Sequence, residues 1–340
     1  MKLTFLGTAA GQPSLSRNTT SIAVEIENGE FILVDCGEAT LLQLMRSPLK
    51  FSRIKAIFIT HLHGDHIFGL PGLLCTLNSV RTEPLNIFGP KGLAKFCSVF
   101  EKSIFAFPLK IQEITGVYNE ILNIVFETIN INVKCCLVQH TVECYSYLFT
   151  QTKIKNKIDI GKALPIVTKY TNEIQTCGYN PPKKIFQEFS KNINFKLDIV
   201  DKTTGENIVL KARDFVTVDR PFKLVITLDN FKCDNIIKYF QTCDVLVHES
   251  TYISFIETSK EDSIQLYNQA IKNGHSTNLM ASQNAINCNA KKLILTHFSN
   301  RYKITDGELE GATSAINACK NVGFMGDIFL AQDFSEYTLV

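Results

Sequence analysis

The stretch Lys55-Ala56-Ile57-Phe58-Ile59-Thr60-His61-Leu62-His63-Gly64-Asp65-His66 joins an apolar run to three imidazoles and a carboxylate packed into six residues. An Ile- and Phe-rich run of this length reads as a buried strand. Its end delivers all four polar groups to one loop at the mouth of the fold. Imidazole nitrogen and carboxylate oxygen are good zinc ligands, at about 2.0–2.2 Å. Burying so many rings without a metal would leave many ring nitrogens to satisfy.

Working outward, the same pattern of apolar strand followed by a ligand-type residue recurs. His140 follows residues 133–139, His248 follows 243–247, His297 follows 291–296, and Asp229 follows 225–228. A lone histidine at a strand end is usually structural; several beside an H-x-H-x-D-H loop point to convergence on one site. His61, His63, Asp65, His66, His140, Asp229 and His297 are the candidate ligands, enough for two metal ions sharing a carboxylate. Two such ions can lower the pKa of a bridging water and clamp a phosphate or acyl oxygen. His275, in Gly274-His275-Ser276-Thr277, is left without a metal role and is a candidate general acid.

Apolar runs ending in Gly, Asp or His recur at 21–26, 30–37, 55–61, 85–90, 223–229, 243–250 and 291–297. Between them, 38–47, 93–104, 234–242 and 276–288 carry helical periodicity. The class is α/β, and the mixture of alternating and continuously apolar strands predicts two sheets with helices outside. The chain has 340 residues, is 45% hydrophobic and 20% charged, and carries a formal net charge of +2. That composition excludes a disordered tail, a coiled coil and a collagen-like chain. The longest apolar runs, such as 224–228, fall far short of the ~20 residues a membrane span needs. Eleven cysteines without a C-x-x-C pair, and a start that reads as strand and turn, predict reduced, mostly buried thiols in an intracellular protein, cytoplasmic or nuclear. Neither a signal peptide nor an organelle transit peptide is expected.

Residues 150–196 hold nine lysines against three acidic residues, a local charge of +6, together with several Gly and Pro. They read as a basic arm inserted into a single domain spanning 1–340.

The H-x-H-x-D-H loop with distal His, Asp and His resembles the metallo-β-lactamase superfamily. The finer motifs resemble its ribonuclease Z (tRNase Z) branch, in the short form, over nearly the whole chain. These are Gly7-Thr8, Pro13-Ser14-Leu15-Ser16-Arg17-Asn18, Asp35-Cys36-Gly37-Glu38-Ala39-Thr40, the segment after His140, His248-Glu249-Ser250-Thr251, Gly274-His275-Ser276-Thr277 and Leu295 to Tyr302. The sequence departs from that family at Leu15, where a lysine is usual, and at Leu228 and Asn230, which flank Asp229 in place of Gly and Thr. It also departs at Lys183 and Lys184, where the arm tip would carry Gly-Pro.

The resemblance implies an αββα sandwich of two mixed sheets flanked by helices, with a projecting basic arm. It implies two Zn2+ per chain and hydrolysis of one phosphodiester in precursor tRNA, leaving a tRNA 3′-OH and a trailer with a 5′-phosphate. Asp65 would bind metal and orient or deprotonate the nucleophile. His275 would protonate the leaving 3′ oxygen, with Glu249 fixing its tautomer. Arg17, Asn18, Lys183, Lys184 and Arg301 would contact substrate. A homodimer is the family expectation. The alternatives are a small-molecule phosphodiesterase or sulfatase-like hydrolase on the same scaffold, needing no basic arm, and a catalytically dead RNA-binding subunit.

Overall fold

The computed structural model describes residues 1–26, 28–104, 106–124, 130–152, 156–218, 220–305 and 308–339. Lys153 and Lys155 of the lysine-rich stretch lie outside them. Contacts divide the chain into two compact units, Met1–Thr150 with Phe222–Val340, and Gln151–Pro221.

The first unit is built on two seven-stranded sheets. One runs, in spatial order, Glu336–Thr338, Lys2–Gly7, Ser21–Glu25, Phe31–Val34, Ile54–Phe58, Leu85–Pro90 and Leu109–Ile114. The other runs Asp327–Leu330, Lys292–Thr296, Val245–Glu249, Lys223–Thr227, Cys144–Gln151, Ile131–Val138 and Leu122–Ile124. Both are mixed: Phe31–Val34 to Ile54–Phe58 is a parallel pair, while Lys2–Gly7 to Ser21–Glu25 is antiparallel. In the second sheet Lys223–Thr227, Val245–Glu249 and Lys292–Thr296 are mutually parallel.

Strand side chains alternate between faces, and here both faces are buried. Phe5, Ile22, Val34 and Phe58 of one sheet meet Tyr147, Phe149, Ile226 and Val247 of the other in a central core. The residues between them point outward. Leu33, Ile57 and Ile87 pack under the helices Thr40–Arg46, Leu70–Leu77 and Leu93–Ser98. Val225, Leu246 and Leu293 pack under Asp234–Tyr239, Asn278–Asn287 and Ala312–Asn321. The result is helix, sheet, sheet, helix, and double-sided burial is why so many strands read as unbroken apolar runs. The stretch 93–104 is not one helix: it continues past Ser98 as a short 3-10 turn, Glu101–Ser103. All eleven cysteines are free, nine of them buried.

The second unit has its own small core of Val167, Tyr170, Ile174, Ile185, Phe189, Ile199 and Leu210. It comprises helices Ile160–Lys169, Thr171–Thr176 and Ile185–Lys191 and the antiparallel pairs Asn156–Ile158 with Val216–Val218 and Lys196–Val200 with Asn207–Lys211. It extends beyond the lysine-rich stretch to Pro221. Residues 197–221 add four basic and five acidic side chains, so the unit as a whole carries +5.

Candidate metal centre

Every candidate ligand sits just beyond a strand. His61, His63, Asp65 and His66 follow Ile54–Phe58; Asp229 follows Lys223–Thr227; His297 follows Lys292–Thr296; His140 follows Ile131–Val138. The crevice beyond the carboxyl ends of parallel strands is the usual binding place in α/β sheets. The loops approach one another closely. A Cβ on Gly37 would lie 2.3 Å from the Asp65 carbonyl oxygen, and one on Gly274 would lie 2.9 Å from His140 Nδ1. His297 and Asp35 adopt φ of +59° and +61°, left-handed conformations that cost about 1–3 kcal/mol and concentrate at functional sites.

Two donor groups form: His61, His63, His140 and Asp229; and Asp65, His66 and His297. Asp229 faces both. Its Oδ2 lies 3.5 Å from His61 Nε2 and 3.6 Å from His140 Nε2. Its Oδ1 lies 3.1 Å from His297 Nε2 and 3.4 Å from His66 Nε2. His63 Nδ1 stands 3.1 Å from His61 Nε2 and 3.2 Å from His140 Nε2. Asp65 Oδ2 is 3.4 Å from both His66 Nε2 and His297 Nε2, and accepts from the Gly11 N–H at 2.7 Å. Ligands at about 2.0–2.2 Å from a tetrahedral ion stand about 3.3–3.6 Å from one another, close to the separations found here.

The outer hydrogen bonds fix which ring nitrogens are bare. Asp35 Oδ2 accepts from His66 Nδ1 at 2.6 Å and from the Thr60 hydroxyl at 2.7 Å. Thr60 Oγ1, its proton given away, accepts from His61 Nδ1 at 3.0 Å. His140 Nδ1 donates to the Gly274 carbonyl at 2.7 Å, and His297 Nδ1 to Thr251 Oγ1 at 2.9 Å. With these rings neutral, four Nε2 lone pairs therefore point inward, and buried Asp229 Oδ1 accepts no hydrogen bond. The bare nitrogens of His66 and His297, 3.2 Å apart, repel one another unless a cation lies between them. Burial, reinforced by neighbouring His66, pushes the His61 pKa well down. Burial acts the same way on His66, but Asp229, Asp65 and Asp35 outweigh it and push that ring well up. The residues fit a pair of divalent cations, and partners of this kind orient ligands and raise their basicity.

Beside the cluster, His275 Nδ1 lies 3.3 Å from Glu249 Oε1. Burial works against its charge, but Glu249 prevails and lifts the ring to about 9. Glu249 is fully buried; burial raises its carboxyl, yet His275 holds it below its usual value. His275 Nδ1 is also 3.7 Å from Asp229 Oδ2, so with Asp229 and His297 it completes a third possible donor group.

His248 faces away from the cluster. Along Val245–Glu249 the inward positions are Val245, Val247 and Glu249, so His248 points to the helix side, where it accepts from Asn284 Nδ2 at 3.1 Å. Arg17 is buried, its Nη1 donating to the Tyr302 carbonyl at 3.0 Å and its guanidinium lying over the Phe298 ring. Asn18 donates its side-chain amide to the Glu38 carbonyl. Arg301 is exposed, bonded to Ser299 Oγ and lying over the Tyr252 ring. Lys183 and Lys184 belong to the second unit, in the 3-10 turn Pro182–Lys184. Asp35, Thr60 and Thr251 hold the ligands yet carried no assigned role in the sequence; Asp35 did show the same signal, a carboxylate ending the apolar run 31–34.

Fold and site together define a metallo-β-lactamase-fold protein with a cluster of histidines and aspartates able to hold metal. Among solved structures, human tRNase Z, short form (ELAC1), aligns over 100% of both chains with a TM-score of 0.65 and 27% identity. The metallo-β-lactamase fold protein YhfI from Bacillus subtilis aligns over 99% of this chain and 98% of its own at 0.60, with 17% identity. A family model described as anti-Pycsar protein Apyc1 matches residues 1–173. Ribonuclease Z of Prochlorococcus marinus (strain MIT 9301) is 36% identical over 89% of each chain. Ribonuclease Z of Bacillus cereus (strain AH820) is 35% identical over 89% of this chain and 90% of its own. The chain belongs to the ribonuclease Z family.

Proposed function

We propose that this protein is a zinc-dependent endoribonuclease that removes 3′ trailers from precursor tRNA. The observation that carries the reading is Asp229, which presents one oxygen to each of two histidine groups beside the Glu249–His275 pair. His61, His63, His140 and Asp229 would hold one Zn2+, and Asp65, His66, His297 and Asp229 the other. Bound zinc would supply Lewis-acid charge for the phosphate oxygens and lower the pKa of water.

The chain's own groups do the rest. Asp65, anchored by the Gly11 N–H, orients the attacking water. The water gives one proton to Asp65, and its oxygen adds to phosphorus as the bond to the 3′ oxygen breaks. His275, kept protonated by Glu249, gives its proton to that oxygen. The products are a tRNA 3′-OH and a trailer bearing a 5′-phosphate. Lys183, Lys184 and the other lysines of the second unit bind the tRNA backbone, and Arg301 contacts a phosphate near the cut. The protein acts inside the cell, as a homodimer. Among the described residues, no helix is long and apolar enough to cross a membrane.

A gel assay on one 3′-extended tRNA transcript, with the cut mapped, tests the reading. Cleavage just beyond the acceptor stem is expected. Turnover of bis(p-nitrophenyl) phosphate without any cleavage of the transcript would instead favour a small-molecule phosphodiesterase.

A further inference from the structure

Thr251 is buried, and its hydroxyl touches three functional side chains. It lies 2.5 Å from Glu249 Oε2, 2.9 Å from His297 Nδ1 and 3.3 Å from His275 Nδ1. A hydroxyl carries one proton and two acceptor lone pairs. An ionised carboxylate can only accept, so the proton goes to Glu249. The lone pairs remain, and His297 must therefore donate from Nδ1. That leaves His297 Nε2 bare, 3.1 Å from Asp229 Oδ1. Glu249 meanwhile takes the Asn230 N–H at 2.7 Å on Oε1, the same oxygen that faces His275.

We propose that Thr251 is a positioning residue: a one-proton relay by which a single buried carboxylate, Glu249, sets the tautomer of the metal ligand His297 while holding the acid His275. On the opposite side Thr60 stands between Asp35 and His61 in the same way, so each donor group has a hydroxyl between a buried carboxylate and a ring. The proposal rests on the two-zinc reading. It adds that the hydroxyl of Thr251 serves one donor group and not the other, because His297 is the one of the seven candidate ligands that it touches.

The test is Thr251→Val, which keeps the shape and removes the hydroxyl, beside Thr251→Ser, which restores it. Each protein is stripped with a chelator and titrated with Zn2+ against a competing chelating dye. His297→Ala and His63→Ala are titrated alongside, to identify which binding step belongs to which group. Outer partners of metal ligands typically contribute 10–100-fold in affinity. Thr251→Val should weaken the step lost in His297→Ala by about 10–100-fold and leave the other within about threefold. Thr251→Ser should bind as the parent does. Melting of the stripped proteins checks the fold. The proposal is overturned if Thr251→Val binds both ions like the parent, if both steps weaken alike, or if Thr251→Ser is as impaired as Thr251→Val. If the parent binds no zinc, the two-zinc reading itself fails, a distinct outcome.

Discussion

Replacing His275 by alanine separates proton donation from metal binding. The ring stands 3.3 Å from Glu249, which lifts its pKa to about 9 against an ordinary 6.5. That difference corresponds to about 3 kcal/mol in favour of the imidazolium. Two metal ions would cancel the shares of Asp229 and Asp65, leaving Glu249 as the main support. Glu249 favours the imidazolium, and a charged ring supplies a general-acid contribution of about 10²–10⁴-fold, or roughly 3–5 kcal/mol of barrier. His275→Ala should lose that factor on precursor tRNA in single-turnover cleavage, while elemental analysis still finds the parent's metal content. The loss should shrink to a few-fold on bis(p-nitrophenyl) phosphate, whose nitrophenolate leaves without a proton. A raised pKa also places a limb on the alkaline side: rate falls as pH rises through it, and Glu249→Gln should move that limb to lower pH. Cleavage of precursor tRNA at the parent rate would refute the role. Loss of metal in His275→Ala would make His275 a ligand, as the third donor group allows.

His297→Ala should differ from His275→Ala by losing metal along with activity. Exhaustive chelation should abolish turnover, and activity persisting with metal verified absent would refute the metal mechanism. The second unit can be excised cleanly, because Thr150 pairs with Lys223 across an antiparallel ladder. Replacing 152–221 with an Asn-Gly turn should collapse tRNA binding yet keep hydrolysis of the small diester within a few-fold; Lys183→Ala with Lys184→Ala should lower the salt slope of tRNA affinity by roughly 1–2. Burial pushes the Asp333 carboxyl up to about 6 despite donors from Asn18, Thr8 and Gln43. A carboxyl with a raised folded pKa keeps its proton in the native state, so stability is highest below about 4 and falls as pH rises to about 6. Urea unfolding of the parent minus Asp333→Asn should show that slope, about 3 kcal/mol at most.

Much of the fold was legible because its strands are buried on both faces. That burial makes 56–59, 224–226, 245–247 and 293–295 unbroken apolar runs, and each gives way to buried polar side chains at the strand end. The ligand residues stood at those ends and could be picked out one by one. The helix Lys260–Lys272 was not read from the sequence, although Ile264, Tyr267 and Ile271 recur at helical spacing on it; Ala270 is its buried residue.

The sequence alone determined the layer pattern, the seven candidate ligands and the separate character of the lysine-rich stretch, since each is a local property of residue type and spacing. Tertiary structure decided what depends on direction and distance. A one-residue step along Val245–Glu249 sends His248 to the helices and Glu249 to His275, a choice fixed by which face of the strand meets the core. The two oxygens of Asp229 divide the histidines into two groups only because the loop after Ile54–Phe58 and the ends of three other strands converge. Burial turned Arg17 toward the Tyr302 carbonyl, and the core of the second unit carried its boundary to Pro221. None of these is written in the spacing of the residues, because hydrogen bonds and burial across hundreds of positions are properties of the packed chain.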